Sequence, residues 1–428
     1  EKKIDIKYTI KIELDLFALF LRFIVILYEC VIVHNISRLF ISLYKAILNE
    51  VVIMEGMQHI TWIPFDIATR YMVDVFTGLG VPHDDALICA DVLITADKFG
   101  IDSHGVNRLK PIYYDRIKQG IQKPVTQCAV VKEGPTTAVI DGNDGMGQVI
   151  AYRSMQMAID KAKKYGMGMV TVRNSTHYGI AGYYAKMAAD NAMIGITGTN
   201  ARPSVAPTFG VENMLGTNPL TFGIPADEDF PFLLDCATSV SQRGKIEVYA
   251  RLDKPLPPGW VIDNHGNSCT NPHQVLDGLI KGSMALTPLG GIGEDGAGYK
   301  GYGYCTVVEI LSAALQAGSY LKMLSGFDMQ GNKVPYHLGH FFIAIAIEAF
   351  TDIASFKSIT GDILRQLRNS ARMPGQKKIY TAGEKEYLTY LERKDKGVPV
   401  NNEVMKELVA MRDELNITGY ELLTLHAS

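Results

Sequence analysis

Two short polar motifs hold the side chains of this sequence that are best suited to acid–base chemistry. The first, Asp102-Ser103-His104-Gly105 with Arg108, follows the predicted end of a helix, where a loop can expose polar groups to a cleft. An imidazole titrates near neutral pH, and a guanidinium can bind a carboxylate through two hydrogen bonds. The pattern therefore fits proton transfer on an anionic substrate, although a polar capping turn is the simpler interpretation of these residues alone.

The second motif surrounds His177, which lies in the segment 174–182 between a predicted strand and a predicted helix. Backbone N–H groups and the helix dipole at such a turn attract an anion, which would give the imidazole an electrostatic setting for catalysis. The alternative is that His177 only caps the helix that follows.

A third pair of histidines, His337 and His340, forms an HxxH pattern in front of a predicted core strand. No acidic residue or cysteine nearby completes a set of metal ligands. We therefore predict structural roles for both histidines and no metal site.

Two overlapping GxGxxG patterns occupy residues 291–296 and 296–301, ahead of a predicted helix. A Rossmann turn would need a buried strand directly before the glycines and an acidic residue about 20 positions later. The preceding segment 282–291, GSMALTPLGG, is not such a strand. We therefore expect a mobile glycine loop near a ligand rather than a dinucleotide-binding turn.

The elements that must position these motifs alternate between helices and strands. Apolar periodicity predicts helices over 64–80 and 83–99, the second with Asp84 or Asp85 as its N-cap and Gly100 at its end. Further on, the pattern predicts strands at 137–141, 168–172, 193–199, 219–224, 232–237 and 341–347, and helices at 147–165, 179–191, 303–317, 352–373, 383–394 and 401–414. The fold class is therefore α/β or α+β.

The overall composition argues against several further classes of function. The 428 residues include 42 basic and 45 acidic side chains, so a net charge of −3 gives no reason to expect nucleic acid or an anionic membrane surface as the main partner. The six cysteines contain no CxxC pair, which argues against a disulfide framework or a zinc ribbon. A reducing compartment fits, and we expect a cytoplasmic protein.

Residues 1–56 form a hydrophobic extension of doubtful origin. Its apolar run at 14–33 is interrupted by Asp15, Arg22 and Glu29, a seven-residue spacing that puts three charges on one helix face, where each is costly in a bilayer. Three interpretations are open: a membrane or interfacial anchor, an amphipathic helix packed on the protein or a partner, and a stretch outside the natural protein. We prefer the third, with translation starting at Met54 or Met57.

Taken together, the motifs resemble one family, the malate/L-lactate dehydrogenases of the second type. This group includes ureidoglycolate, sulfolactate and diketogulonate oxidoreductases and is unrelated in sequence to the common lactate and malate dehydrogenases. The matching segments run in order from about 60 to 415 and include DSHGVNRL (102–109), GNDGMGQ (142–148), STHYGIAGYYA (175–185), GTNPLTFGIP (216–225), FLLDCATS (232–239), YKGYGY (299–304) and RMPG (372–375).

The resemblance implies a non-Rossmann NAD(P)-binding domain with a largely antiparallel sheet flanked by helices, and a mainly helical region built from both chain ends. We accordingly expect residues 131–351 to form the NAD(P)-binding domain. Residues 57–130 and 352–428 would form the helical substrate and dimer region. A homodimer with a shared active site is implied as well.

The resemblance also assigns residues. Arg108 falls on the carboxylate clamp, Ser103 and His104 on the same substrate-side motif, and His177 on a proton-carrying histidine; we prefer His177 over His104 for that role. The implied cofactor contacts are Asp235, Cys236, Ala237, Thr238, Tyr299, Lys300, Gly301 and Gly383, with Asn200, Asn218 and Arg243 as additions. Ala382-Gly383 stands where a Pro-Gly pair is expected.

The predicted activity is hydride transfer between a nicotinamide cofactor, NAD or NADP with NAD preferred, and a small anionic 2-hydroxy acid or 2-keto acid of malate or lactate type. One alternative is a reductase of a cyclic imino acid, or of a ureido or diketo acid. An alternative from another class of function, outside the enzymes, is a non-catalytic or membrane-tethered binding protein.

Overall fold

The computed structural model describes residues 60–421 and residue 423. The predicted hydrophobic extension at 1–56 lies outside these residues. From Thr61 onward, the described residues fall in one compact unit.

Helices and strands alternate through most of this unit, as the sequence predicts. The helices are α1 (Phe65–Gly78), α2 (His83–Lys98), α3 (Asp115–Lys118), α4 (Gly147–Tyr165), α5 (Ala181–Asp190), α6 (Arg243–Arg251), α7 (Pro272–Lys281), α8 (Gly298–Ala313), α9 (Ile353–Asn369), α10 (Glu384–Arg393) and α11 (Asn402–Glu414). The strands are β1 (Thr61–Ile63), β2 (Ala129–Glu133), β3 (Thr137–Asp141), β4 (Met167–Ser175), β5 (Met193–Thr199), β6 (Leu220–Ile224), β7 (Phe232–Cys236), β8 (Val261–Asp263), β9 (Met284–Leu286), β10 (Leu338–Ala346) and β11 (Val398–Val400).

A seven-stranded sheet with the order β2-β3-β4-β10-β5-β6-β7 forms the centre of the fold. Only β3 and β4 run parallel, and every other neighbouring pair in this sheet is antiparallel. The predicted mixed α/β fold with a largely antiparallel sheet is therefore confirmed.

The glycine patterns at 291–301 do not form a Rossmann turn. The strand that precedes them, β9, pairs with β8 in a separate two-stranded sheet, and α8 already begins at Gly298. No buried strand of the central sheet therefore leads directly into this glycine run, as the sequence predicts.

The core of the sheet lies where α4 covers β4 and β10. The side chains of Val170, Val172 and Phe342 are fully buried beneath this helix. Gly168 allows the close approach, because a Cβ atom there would lie 2.1 Å from the carbonyl oxygen of Ala158 in α4. Burial of this apolar face supplies the main driving force for docking the helix on the sheet.

A second core joins the two ends of the described chain. β1 pairs with β11, and the apolar faces of α1, α2 and α11 pack together around Tyr71, Phe76 and Leu408. The buried Tyr71 hydroxyl donates a hydrogen bond to the Leu408 carbonyl at 2.5 Å, so its polar atom is satisfied inside the core.

Some local predictions are wrong. Pro82 rather than Asp84 or Asp85 occupies the N-cap of α2, because the helix already begins at His83. Asp85 instead accepts a hydrogen bond from Arg153 at 2.6 Å. The prediction starts α8 at 303, five residues late, and it contains neither α6 nor α7. For α7 a signal exists, since Asn271 caps the helix and Pro272 occupies its first turn.

Within residues 60–421, the structure contains no helix that is both long and apolar enough to cross a membrane.

His340 lies in β10 with no exposed surface and packs its ring on Tyr178, at a centroid distance of 4.5 Å and an angle of 7°. Its Nδ1 is 2.7 Å from the Thr199 hydroxyl. Burial lowers the pKa of His340 to about 3, so the ring is neutral in the folded protein at any pH near neutrality.

This buried imidazole should make the fold sensitive to acid. As pH falls from 7 to 5, the unfolded chain protonates His340 near its ordinary pKa of about 6.5 while the folded chain does not, which lowers the free energy of unfolding by about 2 kcal/mol. We expect the His340→Gln variant to lack this decrease in the free energy of unfolding between pH 7 and pH 5, as measured by urea unfolding at both pH values. His273→Gln, at an exposed site on α7, is the control. An unchanged pH dependence in the His340 variant would contradict this account.

Candidate functional site

The turn that carries Ser103 and His104 is fixed by a buried carboxyl group. Asp97, in the last turn of α2, accepts a hydrogen bond from the backbone N–H of Val106 at 2.8 Å. Gly105 is required beneath it, because a Cβ atom there would lie 1.9 Å from Asp97 Oδ1. Burial raises the pKa of the Asp97 carboxyl well above its ordinary value. The turn is therefore held against the end of α2 at one defined position.

The same turn is anchored from the C-terminal part of the chain. Arg393, at the end of α10, donates hydrogen bonds to the two carboxylate oxygens of Asp102 at 2.5 and 3.0 Å, and a third to the Asp97 carbonyl at 2.7 Å. A bidentate pair of this kind fixes orientation as well as distance.

Within the anchored turn, three of the predicted site residues contact one another. The Ser103 hydroxyl lies 2.8 Å from His104 Nδ1, and Arg108 Nε donates to the Ser103 carbonyl at 2.5 Å. This bond uses one edge of the guanidinium. Its terminal nitrogens form no hydrogen bond with any described residue, which leaves the fork available to a carboxylate.

His177 meets this group from the end of β4. Its ring stacks against that of His104, with centroids 5.8 Å apart and planes 20° from parallel. His177 Nδ1 lies 2.7 Å from the Tyr113 hydroxyl and accepts a hydrogen bond from the Gly179 N–H at 3.2 Å. The side chain does not cap α5, whose N-cap is Ile180. The structure thus brings together Ser103, His104, Arg108 and His177.

Both imidazoles are neutral at pH 7. Burial, with the charge of Arg108, lowers the pKa of His104 to about 4. Burial also lowers the pKa of His177 well below its ordinary value, and the positive charges of Arg116 and Arg108 add to this effect. Neutral rings beside cationic guanidinium groups are arranged to bind an anion and to exchange a proton with it.

The hydrogen bonds distinguish the two rings. A backbone N–H can only donate, so Gly179 requires an acceptor at His177 Nδ1, and the neutral ring then carries its hydrogen on Nε2. A hydroxyl can donate or accept, so Ser103 allows His104 to hold its hydrogen on either nitrogen. Only the His104 ring can therefore change its protonation pattern without losing a fixed partner.

The segment 235–238, a predicted cofactor contact, includes the last two residues of β7 and the two residues after it. Asp235 accepts hydrogen bonds from the Gly182 N–H at 2.6 Å and the Thr221 hydroxyl at 3.1 Å, which ties it to the N-terminus of α5. Burial raises the pKa of this carboxyl group. Cys236 and Ala237 are half-buried, and Thr238 is buried.

The segment 299–301 adjoins Thr238. The N–H of Leu289 donates to the Thr238 carbonyl at 2.8 Å, and Gly301 packs so closely on Leu289 that a Cβ atom would lie 2.2 Å from its carbonyl oxygen. Tyr299 and Lys300 are exposed in the first turn of α8, with the ammonium group 5.8 Å from the ring centroid. These two predicted cofactor segments are therefore neighbours.

The predicted asparagines are bonded largely within the protein. Asn218 Nδ2 donates to Glu309 at 2.7 Å and to the Cys305 carbonyl at 3.2 Å, while its buried Oδ1 has no partner among the described residues. Asn200 accepts from the Gly339 N–H at 2.8 Å and donates to the Ser319 carbonyl at 3.1 Å.

Arg243 and Gly383 lie on two other sides of the site. Arg243 begins α6, is exposed and bonds Glu247 at 2.9 Å. The next residue, Gly244, faces Ser103, because a Cβ atom there would lie 3.4 Å from the Ser103 Cβ. Gly383 has φ +89° and packs on β7 beside Leu233. It lines a cleft of about 420 Å³ that extends along α5 and α10.

Two residues near His177 are absent from the sequence-based prediction: Tyr113 and Arg116. Both follow Arg108 along one helical stretch, so a helical projection from the DSHGVNR motif could have indicated them. Within the described residues, no group of three or more His, Cys, Asp or Glu side chains is placed to hold a metal ion.

Comparisons with known proteins agree with the predicted family. The profile of the family described as malate/L-lactate dehydrogenase matches residues 63–409. A malate dehydrogenase of Pyrococcus horikoshii is 45% identical over 357 residues, which are 83% of this chain and 96% of the relative. An L-sulfolactate dehydrogenase of Methanocaldococcus jannaschii is 38% identical, over 82% of this chain and 97% of the relative.

A solved structure agrees with the predicted family as well. The crystal structure of malate dehydrogenase from Entamoeba histolytica superposes with a TM-score of 0.82 at 43% identity and covers 85% of this chain and 100% of that one. The profile match spans well over half of the sequence, and the motifs on which the resemblance rests lie within it or at its ends. The chain belongs to the malate/L-lactate dehydrogenase family.

Proposed function

We propose that this protein is a nicotinamide-dependent malate dehydrogenase, which interconverts malate and oxaloacetate. Oxidation of the CH–OH group of a hydroxy acid is the activity named for its relatives, and malate is named for the relative at 45% identity. The observation that carries the proposal is the meeting of an unpaired Arg108 guanidinium with two neutral histidines, His104 and His177. That set can bind a carboxylate and move one proton.

The residues of the predicted cofactor segments fit a nicotinamide dinucleotide. Lys300 and Arg243 offer exposed cations for the phosphates, and the Tyr299 ring offers an exposed flat surface. The orphaned acceptor Asn218 Oδ1 suits an amide donor. We propose that these residues and the 235–238 segment hold the cofactor. When bound, it supplies the hydride acceptor and donor at the nicotinamide ring.

Arg108 is proposed to hold the carboxylate next to the reacting carbon. Its free terminal nitrogens present two parallel donors, a geometry that a lysine does not offer. The bond from Arg108 Nε to the Ser103 carbonyl fixes the guanidinium plane. A substrate held in this way is oriented before reaction, which lowers the entropic part of the barrier.

We propose that the two histidines have different roles in proton transfer. In the oxidation direction, neutral His104 accepts the hydroxyl proton of the substrate, while the Nε2–H of His177 donates a hydrogen bond to the same oxygen. In the reduction direction, protonated His104 returns the proton. Arg108 lowers the pKa of His104, and the negative charge of the bound substrate opposes this effect. This division reverses the preference for His177 that the family resemblance gives, because the Gly179 N–H fixes the tautomer of His177.

We also propose NAD as the cofactor. The 420 Å³ cleft beside Gly383 is lined by Asp91, Asp190, Asp229 and Glu386, against two lysines, Lys98 and Lys186. An acidic cleft repels the additional phosphate of NADP, whereas it can accept hydrogen bonds from a ribose hydroxyl.

A homodimer is proposed from the surface of α8. Tyr304, Val307 and Ile310 recur at three-residue spacing and are 57%, 48% and 53% exposed, which leaves one apolar stripe of the helix without cover in the described chain.

All five cysteines among the described residues are free thiols, which fits a reducing compartment. The cytoplasmic location stays a prediction.

The activity itself is tested with a panel of 2-keto acids. We expect NADH absorbance to fall with oxaloacetate as the best substrate, and kcat/KM with NADPH to be at least about 10-fold lower, because one repelled phosphate costs on the order of 1.4 kcal/mol. A cyclic imino acid serves as the contrasting substrate. Turnover of the imine without turnover of any keto acid would replace the proposed function.

The division between the histidines is tested by His104→Gln and His177→Gln. We expect the first to lower kcat by about 100-fold or more, since it removes the proton carrier. The second should lower kcat by only about 10-fold, because glutamine keeps an N–H donor. Fluorescence titration should show NADH binding unchanged in both. A loss of about 100-fold in the His177 variant with near-normal turnover in the His104 variant would return the role to His177.

The dimer is tested by light scattering. Ile310→Glu places a charge in the exposed stripe of α8, so we expect the mass to fall from that of two chains to one of about 47 kDa. Ile280→Glu, at the one exposed large apolar residue of α7, is the matched control and should leave the mass unchanged. A monomeric wild-type protein would refute the proposed assembly.

A further inference from the structure

Helix α9 is fixed to the rest of the chain by one of its faces. Gly361 lies so close to the loop after β6 that a Cβ atom there would lie 1.6 Å from Asp227 Oδ1. Arg365 binds the Asp227 carboxylate through two hydrogen bonds of 2.9 and 3.2 Å, and Arg368 donates to Glu228 at 2.9 Å. This face of α9 therefore packs on the protein, and its two arginines are used there.

The opposite face of α9 is apolar and has no cover in the described chain. Ile359, Ile363 and Leu367 recur every four residues, so they form one stripe along the helix, and they are 61%, 54% and 54% exposed. Ile359 and Ile363 each lie two positions from Gly361, which puts them about 160° around the helix from the docked face. The stripe therefore points away from the protein.

The rim of this stripe carries little charge. Ser355 and Gln366 flank it on one side and Thr360 on the other. The carboxylate of Asp362 accepts a hydrogen bond from Arg365 at 2.6 Å. Two copies of such a stripe would bring no like charges together, whereas a nucleic acid or an anionic membrane would need cations at this place. The charge pattern therefore favours a second copy of the chain as the partner.

The spacing of the stripe suits a two-fold contact. Residues four apart form the ridge that packs between the ridges of a second helix, at a crossing angle of about −50°. Ile363 is the centre of the stripe, with Ile359 and Leu367 one turn away on either side. A two-fold axis at Ile363 would set it against the partner's Ile363 and would set Ile359 beside the partner's Leu367, as a self-complementary interface requires.

The exposed apolar area is sufficient for a weak contact. Phe350, before the helix, and Met373, after it, are also largely exposed. With the stripe, these side chains give on the order of 500 Å² per chain, so two copies would bury about 1,000 Å² in total. Specific interfaces of that size lie at the low end of the range. We therefore expect an association that depends on protein concentration.

We propose that α9 is a self-association surface, through which two dimers pair into a tetramer as the protein concentration rises. The stripes of α8 and α9 share no residue, so the two contacts do not compete. This inference builds on the proposed homodimer and is independent of the proposed activity.

The test measures mass by sedimentation velocity from about 1 μM to about 200 μM chains. We expect the mass of the wild-type protein to double over this range, from two chains towards four. Ile363→Glu puts a charge at the centre of the stripe and should stay at two chains throughout. Ile310→Glu keeps the α9 contact and should double from one chain to two. Ile280→Glu, on α7, is the control and should behave as the wild-type protein does.

A cysteine cross-link tests the geometry of the contact. On oxidation with copper phenanthroline, Ile363→Cys should give a disulfide-linked pair of chains, because the two-fold axis brings the two thiols together. Ser358→Cys, at an exposed position on another side of α9, is the matched control. It should give no more linked chains than the wild-type protein, whose free thiols set the background. All these α9 variants should keep the wild-type kcat.

The outcomes separate this inference from the proposed dimer and from the proposed function. A wild-type mass that does not change with concentration, or an increase that persists in Ile363→Glu, would overturn the inference. Vesicles of phosphatidylcholine and phosphatidylserine that bind the wild-type protein but not Ile363→Glu would overturn it in favour of a lipid surface. An increase from one chain to two that is lost in Ile363→Glu, but not in Ile310→Glu, would support the α9 contact and refute the α8 dimer. Turnover of oxaloacetate tests the function separately.

Discussion

The candidate site depends on one feature of the sheet, the insertion of β10 between β4 and β5. The two edges of β10 bond strands that lie at least 139 positions earlier in the chain, as at the Asn200–Gly339 contact. Because the register on both sides is antiparallel, the end of β4, the end of β5 and the start of β10 meet at one edge. Only this pairing brings the residues that follow β4, such as His177, to the same edge as Asn200, which follows β5. A one-residue slip of β10 would turn its buried side chains to the opposite face and separate them.

The elements could be predicted from the sequence far better than their arrangement. Helix α4 and strand β5 have the limits that their apolar periodicity indicates, and the alternating apolar segment of β10 is evident. Nothing in the local pattern says that β10 pairs with β4 and β5. The same limit applies to the site: His104 and Arg108 share a local motif, whereas the stacking of His104 on His177 depends on how distant segments of the chain pack. Asp85 illustrates a different limit, because its tertiary partner Arg153 overrides a local capping preference.

The electrostatic design of the site is asymmetric. Positive charge is supplied by arginines, which stay ionised under almost any condition, while the groups that could change charge, His104 and His177, are held neutral by burial and by those arginines. Asp97, a buried acid at the end of α2, accepts a hydrogen bond from the Val106 N–H and forms no ion pair with these arginines. The negative charge that compensates the arginines therefore comes from the ligand, so substrate binding also neutralises the site.

The contact between Arg393 and Asp102 has a consequence for how the protein is made. The turn that carries Ser103 and His104 lies in the first third of the chain, but two of its anchoring hydrogen bonds come from a side chain 291 positions later. During synthesis, the N-terminal part leaves the ribosome long before α10 exists, and β10 is still absent when β4 and β5 emerge. The nascent chain thus cannot complete the candidate site until translation is nearly finished. A chain truncated before α10 would lack both of these bonds to Asp102.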